Sequence, residues 1–141
     1  MKTIAASIVL LQLLLTACPA SEETRIRQAL EAMQEAVVQK NAGKFVSYLA
    51  DDFEDQQGRD ARAVRGYVAG LLLRNSRVGV YIGLPEIKIN ADHARTECTV
   101  TVTGADGLIP ERMRRVVLLL DWVKVSGDWR VFRANWHEPG E

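Results

Sequence analysis

The side chains that could do chemistry here are mostly acids, tyrosines and arginines. Asp121 is the one acid inside an apolar run, Val116 to Val123, and Glu97 lies in a segment that alternates polar and apolar residues. For such acids the plainer reading is a solvated or ion-paired surface group, and Asp121 could pair with Lys124 or with an arginine across a sheet. Histidine contributes little: there are two, His93 beside a turn and His137 near the chain end. No H-x-x-x-H or H-E-x-x-H pattern and no cysteine pair offers metal-ligand spacing. No G-x-S-x-G elbow and no glycine-rich phosphate loop is present. Neither a metal nor a cofactor is expected. Arginines cluster at Arg112, Arg114 and Arg115, at Arg130 and Arg133, and at Arg59, Arg62 and Arg65. These could meet anionic head groups or carboxylates, or form a solvated face interleaved with acids.

The remaining reactive side chain is near the start. Met1-Lys2 gives a short positive end, and Ile4 to Leu15 is almost wholly apolar. Twelve residues of helix would reach ~18 Å at ~1.5 Å per residue, short of a ~30 Å hydrocarbon core, so a secretory signal fits better than a membrane span. Leu15-Thr16-Ala17-Cys18 resembles a bacterial lipobox. That resemblance implies cleavage after Ala17, lipidation of the Cys18 thiol and a mature chain beginning at Cys18. The residue after Cys18 is Pro19, not the Asp that often retains such lipoproteins at the inner membrane. The resemblance therefore implies the outer membrane, facing the periplasm. Two or three acyl chains anchor durably where one is marginal. Cys98, the only other cysteine, reads as a small buried hydrophobe with no positive cluster to stabilise a thiolate.

Removing residues 1–17 leaves 124, enough for one domain with a real core. The full chain balances 18 basic against 18 acidic residues, with 48% hydrophobic and 26% charged. That excludes a disordered polyelectrolyte and a general polycation for nucleic acid, and no nucleic-acid partner is expected.

The elements that must position these groups follow from periodicity. Ser21 to Lys40 predicts a helix with Ile26, Leu30, Met33 and Val37 on one face, ended by Asn41-Ala42-Gly43 with Gly43 left-handed. Lys44 to Leu49 predicts a short helix. Residues 51–58 read as connection around a short strand. Asp60 caps a third helix to about Asn75, with Val64, Tyr67, Val68, Leu71 and Leu72 on one side. Strands are expected over Val78–Asn90, bent near Gly83 and Pro85, then His93–Thr103, Arg112–Val125 and Trp129–Trp136. Asn90-Ala91-Asp92 and Ser126-Gly127-Asp128 supply turns, and Gly104–Pro110 a loop. Helices first and strands after predict an α+β fold, with the helices on one face of a curved antiparallel sheet. The domain is expected over 22–137, after a tether at 18–21 and before a tail at 138–141.

Val116 to Leu120 is apolar on both phases of the strand. A strand apolar on both sides is covered on both sides. The helices cover one face, and a second copy packed sheet to sheet is the expected cover for the other. Scattered surface apolar residues, or a membrane-facing patch, are the alternatives.

Three helices followed by a bent sheet resemble the nuclear transport factor 2-like superfamily, a cone-shaped, cystatin-like fold that includes ketosteroid isomerase, scytalone dehydratase and SnoaL-like polyketide cyclases. The residues that carry the likeness are the opening amphipathic helix, the run Phe45-Val46-Ser47-Tyr48-Leu49-Ala50-Asp51-Asp52-Phe53, and Gly127-Asp128-Trp129-Arg130-Val131 before the last strand. The likeness spans Ser21 to Trp136. It implies a pocket between helices and sheet, where enzymes of the superfamily place an Asp or Glu base beside a Tyr, His or second acid. Tyr48, Asp52 and Tyr67 could approach its mouth, and Glu97, Asp121 and Trp136 complete the candidate set. No convincing acid-plus-donor pair emerges from the sequence. The expected function is therefore an envelope-anchored binding or assembly module, with an isomerase-, cyclase- or dehydratase-type enzyme as the alternative. A cavity of ~300 Å³ or more, holding a buried acid within hydrogen-bond reach of a Tyr or His, would favour the enzyme. A cavity filled by Trp136, Phe132 or leucines would favour the module.

Overall fold

The computed structural model describes residues 20–105 and 112–140. The expected signal segment, Cys18 and most of the loop expected after Gly104 lie outside the described residues. Helix α1 runs Glu22–Val38, with the Ser21 side chain accepting from the Thr24 N–H and Glu22 and Glu23 in the first turn. Its buried face is Ile26, Ala29, Leu30, Met33 and Ala36. Helix α2 is short, Ala42–Val46, and helix α3 is Ala61–Arg74, capped by Asp60 accepting from the Ala63 N–H.

The end of α1 differs from the sequence expectation. Lys40, not Gly43, takes the left-handed backbone, with φ of 58°. Asn41 is held by the next helix, its side chain accepting from the Lys44 N–H at 2.8 Å, so Gly43 falls inside α2. A capping side chain next door decided where the turn closes.

The strands are β1 (Leu49–Asp55), β2 (Arg77–Ile82), β3 (Glu86–Asn90), β4 (His93–Ala105), β5 (Arg112–Val125) and β6 (Asp128–His137). They form one sheet in the order β1-β6-β5-β4-β2, with β3 also on β4. The segment read as a single bent strand is two, broken over Gly83–Pro85. β2 lies along the C-terminal part of β4 and β3 along its N-terminal part. The β5–β6 hairpin closes through Ser126 and Gly127, both left-handed at φ of 50° and 84°, the geometry that suits right-twisted strands.

The sheet is mixed, not wholly antiparallel: β1 pairs in parallel with β6. The antiparallel expectation held for the consecutive hairpins. It failed for β1 because no hairpin links β1 to its neighbour, which is the last strand of the chain. A bulge falls between Asp121 and Trp122 on β5, where Phe132 of β6 is the unpaired residue. Such an insertion bends the strand and increases its twist.

The helices cover the concave face. Ile26, Leu30 and Met33 meet Phe53, Trp122 and Val131 in the core. Trp122 and Thr96 are fully buried neighbours, and the indole N–H donates to the Thr96 hydroxyl at 3.1 Å. A buried indole N–H needs such a partner. Cys98 is buried too, and burial, with the neighbouring Glu97 charge, pushes its thiol up to about 11. That keeps it protonated and inert near neutral pH.

Candidate functional site

The core does not fill the concave face. A cavity of about 570 Å³ lies between the helices and the sheet. Met33 and Val37 of α1 and Val68 and Leu71 of α3 form its roof. Val80, Val100, Leu118 and Leu120 form much of its floor. Val116, Leu118, Leu120 and the buried Trp122 follow one another at period two along β5, so a single strand supplies a continuous apolar track. The cavity opens where three of its wall residues, Tyr67, Val102 and Met113, are also exposed.

One acid is buried in the wall. Phe53 and Asp55 of β1 point inward, while Asp52 and Glu54 between and before them are exposed. Asp55 retains 5% exposure. Its Oδ1 accepts from the backbone N–H groups of Gln57 at 2.9 Å and Arg59 at 3.0 Å. Its Oδ2 accepts from Arg59 Nε at 2.7 Å. Gly58, with φ of 72°, lets the chain turn tightly enough for these bonds. Burial pushes the Asp55 carboxyl up, but the Arg59 backbone and side-chain bonds and the Gln57 N–H together hold it below its ordinary value of 3.8.

The Arg59 guanidinium lies against the Tyr67 ring, 4.4 Å from its centroid, and 5.8 Å from that of Trp136. Gln56 fastens the same turn to β6. Its N–H donates to the Ala134 carbonyl at 3.0 Å, and its side-chain oxygen accepts from the Trp136 N–H at 2.9 Å. Asp55, Arg59, Tyr67 and Trp136 therefore stand together in one polar section of an otherwise apolar wall.

Of the six residues singled out from sequence, Tyr67 and Trp136 line this cavity and share Arg59. Tyr48 does not line it and borders a separate shallow depression with Arg25, Trp129 and Arg130. Asp52 is exposed on the other phase of β1. Glu97 is exposed on β4, opposite Leu119. Asp121 is on the outer face, bonded to Arg95 directly across the sheet at 2.6 Å. Sequence reasoning missed Asp55 because residues 51–58 were read as connection, which left the strand phase unset. Its usable signals were Asp55 two residues after an aromatic and four before an arginine across a Gln-Gln-Gly turn.

No Tyr or His hydrogen-bonds Asp55 among the described residues. Nor, among them, does any group of three or more His, Cys, Asp or Glu side chains lie close enough to hold a metal ion.

A shallow cone of helices over a mixed, bulged sheet with its cavity on the concave side decides the comparison. The fold is the cystatin-like fold of the nuclear transport factor 2-like proteins. A candidate scytalone dehydratase from Novosphingobium aromaticivorans superposes with a TM-score of 0.74 at 14% identity, over 82% of this chain and 83% of that one. A nuclear transport factor 2-like protein of unknown function from Pseudomonas putida gives 0.70 at 16% identity, over 84% and 87%. A cystatin-like protein of unknown function from Nostoc punctiforme gives 0.68 at 15% identity, over 84% and 92%. No family model matches the sequence, and no curated protein does. The likeness to nuclear transport factor 2-like proteins is thus one of shape, and the chemistry must be read from the cavity itself.

The Asp55 geometry has a pH signature. A carboxyl whose folded value is lowered contributes stability above its unfolded value, and the contribution is lost as pH falls through the folded value. Asp55→Asn should therefore be less stable than the parent at pH 7 by about 2 kcal/mol. The gap should close as the pH is taken below 3.8. Urea unfolding of both proteins across that range measures it, and a gap independent of pH would show that the carboxylate charge does no such work.

Proposed function

We propose that this protein is a small-ligand-binding module held to the bacterial envelope by a lipid on Cys18. The supporting observation is a roomy apolar cavity whose buried acid is consumed by its own neighbours. A volume of about 570 Å³ lies in the range of small-molecule sites, ~300–1,000 Å³. The residues proposed to plug it do not: Trp136 stands in its wall and Phe132 lies on the outer face against the His93 ring. A general base works best with a pKa near the working pH, and Asp55 is held in the opposite direction.

A pocket enzyme of the isomerase, cyclase or dehydratase type is the second reading. The likeness to the candidate scytalone dehydratase and the buried acid favour it. Among the described residues no Tyr or His hydrogen-bonds that acid, which places it second.

The place where α1 begins supports reading an anchor and the cavity together. α1 begins against the β5–β6 hairpin, where Arg25 donates to the Gly127 carbonyl at 2.5 Å and Glu22 pairs with Lys124 at 3.0 Å. The cavity mouth, at Met113, is at the other end of β5, up to roughly 40 Å along the strand at ~3.3 Å per residue. An anchor just before α1 would hold that mouth away from the lipid, open to the periplasm if the outer membrane is the site. The outer face of β5 presents Val117, Leu119 and Val123, half-buried, with Tyr81 70% exposed on β2. A second copy packed on this face is part of the proposal.

Three measurements test these parts. Nile red, a neutral apolar dye, should bind the purified protein saturably, and Leu118→Trp, which fills the floor, should weaken it about tenfold. Absence of binding, or equal binding by both, would remove the cavity as a ligand site. Cys18→Ser should move the protein out of the membrane fraction, and unchanged sedimentation with membranes would remove the lipid anchor. Leu119→Lys should convert a dimer to a monomer in analytical ultracentrifugation, an expectation that a monomeric parent protein would end.

A further inference from the structure

The cavity's polar atoms are unequally spent. Gln34 donates to the Val80 carbonyl at 2.7 Å, and Asn75 donates to the Leu71 carbonyl at 2.8 Å. Asp55, the one carboxylate in the wall among the described residues, accepts three bonds from its own turn. Each amide thus spends a donor, and the Asp55 oxygens are occupied, whereas the guanidinium donors of the wall are largely unspent. Arg59 uses only Nε on Asp55; among the described residues neither Nη atom makes a hydrogen bond. The contact with Asp55 fixes one edge of the guanidinium, and the Tyr67 and Trp136 rings flank it. Its free edge is therefore a preorganised donor pair. Arg114 is the second guanidinium of the wall. Its only partner among the described residues is Glu138 at 3.4 Å, a long contact between two well-exposed side chains. Glu138 follows Trp136 by two residues, so Arg114 and Arg59 approach the cavity from the same end of β6.

We propose that the cavity takes a small carboxylic acid with an apolar body, its carboxylate on the Arg59 Nη edge with Arg114 beside it, and its body over the Val100 and Leu118 floor. This rests on the reading of the cavity as a ligand site and names the ligand class. A guanidinium fork matches two carboxylate oxygens, a geometry that an alcohol or an amine does not satisfy. The apolar section beyond it supplies the area that makes an aliphatic or aromatic body bind. Selectivity comes from what would be left unpaired. A neutral ligand reaching the same depth strips water from Arg59 without replacing those bonds.

Decanoate, decanol and decylamine share one chain and differ in the head group, so their affinities separate the two layers of the reading. Isothermal titration of the purified full chain should show decanoate binding about tenfold or more tightly than decanol, and decylamine more weakly than both. Arg59→Lys keeps a charge opposite Asp55 but loses the fork, and should reduce the decanoate-over-decanol preference to a few-fold. Arg114→Met, at an exposed position, should lower the same preference without unfolding the protein. Equal affinity for decanoate and decanol in the parent protein would overturn the carboxylate assignment while leaving the cavity a ligand site. A preference that survives both substitutions would overturn the role of these arginines. Failure of all three compounds to bind would overturn both the assignment and the reading beneath it.

Discussion

A carboxylate turned into an apolar wall must be compensated, and Asp55 sets the terms for everything around it. An unpaired buried charge is strongly destabilising, so the chain beyond Asp55 folds back to answer it. Gly58 permits the turn, the Gln57 and Arg59 N–H groups reach one oxygen, and the Arg59 side chain reaches the other. The same turn then fixes neighbours it does not touch covalently. Gln56 clips it to Ala134 and Trp136 on the last strand, and Asp60 begins α3. One compensated acid thereby ties β1, β6 and the third helix into a single corner of the cavity.

That corner also explains why an acid in the right fold is not a ready base. The likeness to nuclear transport factor 2-like proteins concerns the shell, and shells of this kind host unrelated activities. In this chain the buried carboxylate already holds three donors, which lowers rather than raises its proton affinity. What the site offers outward is the far edge of the arginine that the carboxylate holds. The arrangement is suited to recognising an acceptor, not to removing a proton.

The long β4–β5 pair gives the shell its shape and carries two environments on one strand. Leu118, Leu120 and Trp122 face the cavity and core, while Val117, Leu119 and Asp121 face outward. Asp121 is answered by Arg95 across the sheet, a half-buried carboxylate paired with a largely exposed guanidinium. A bulge at Phe132 shifts the register of β6, and beyond it Trp136 stands beside Arg59 of the Asp55 turn.

Much of the architecture was legible from period and punctuation. The face of α1 with Ile26, Leu30 and Met33, the Asp60 cap, β5 over Arg112–Val125 and the turn at Ser126-Gly127 all follow from local rules, because each depends on residues close in sequence. The alternation that placed Cys98 inside and Glu97 outside is likewise a purely local pattern. Tertiary structure decided the rest. Whether Asp52 or Asp55 faces inward depends on the phase of β1, and that phase is set by pairing with a strand about eighty residues later. Parallel pairing of β1 with β6 could not be read from turns, since no turn joins them. Arg59 looked like one of a stripe with Arg62 and Arg65, and only the meeting of α3, β1 and β6 separates it from them. Local sequence specifies how a segment bends; which side chains share a cavity is fixed by long-range pairing, where a shift of one residue exchanges inside for outside.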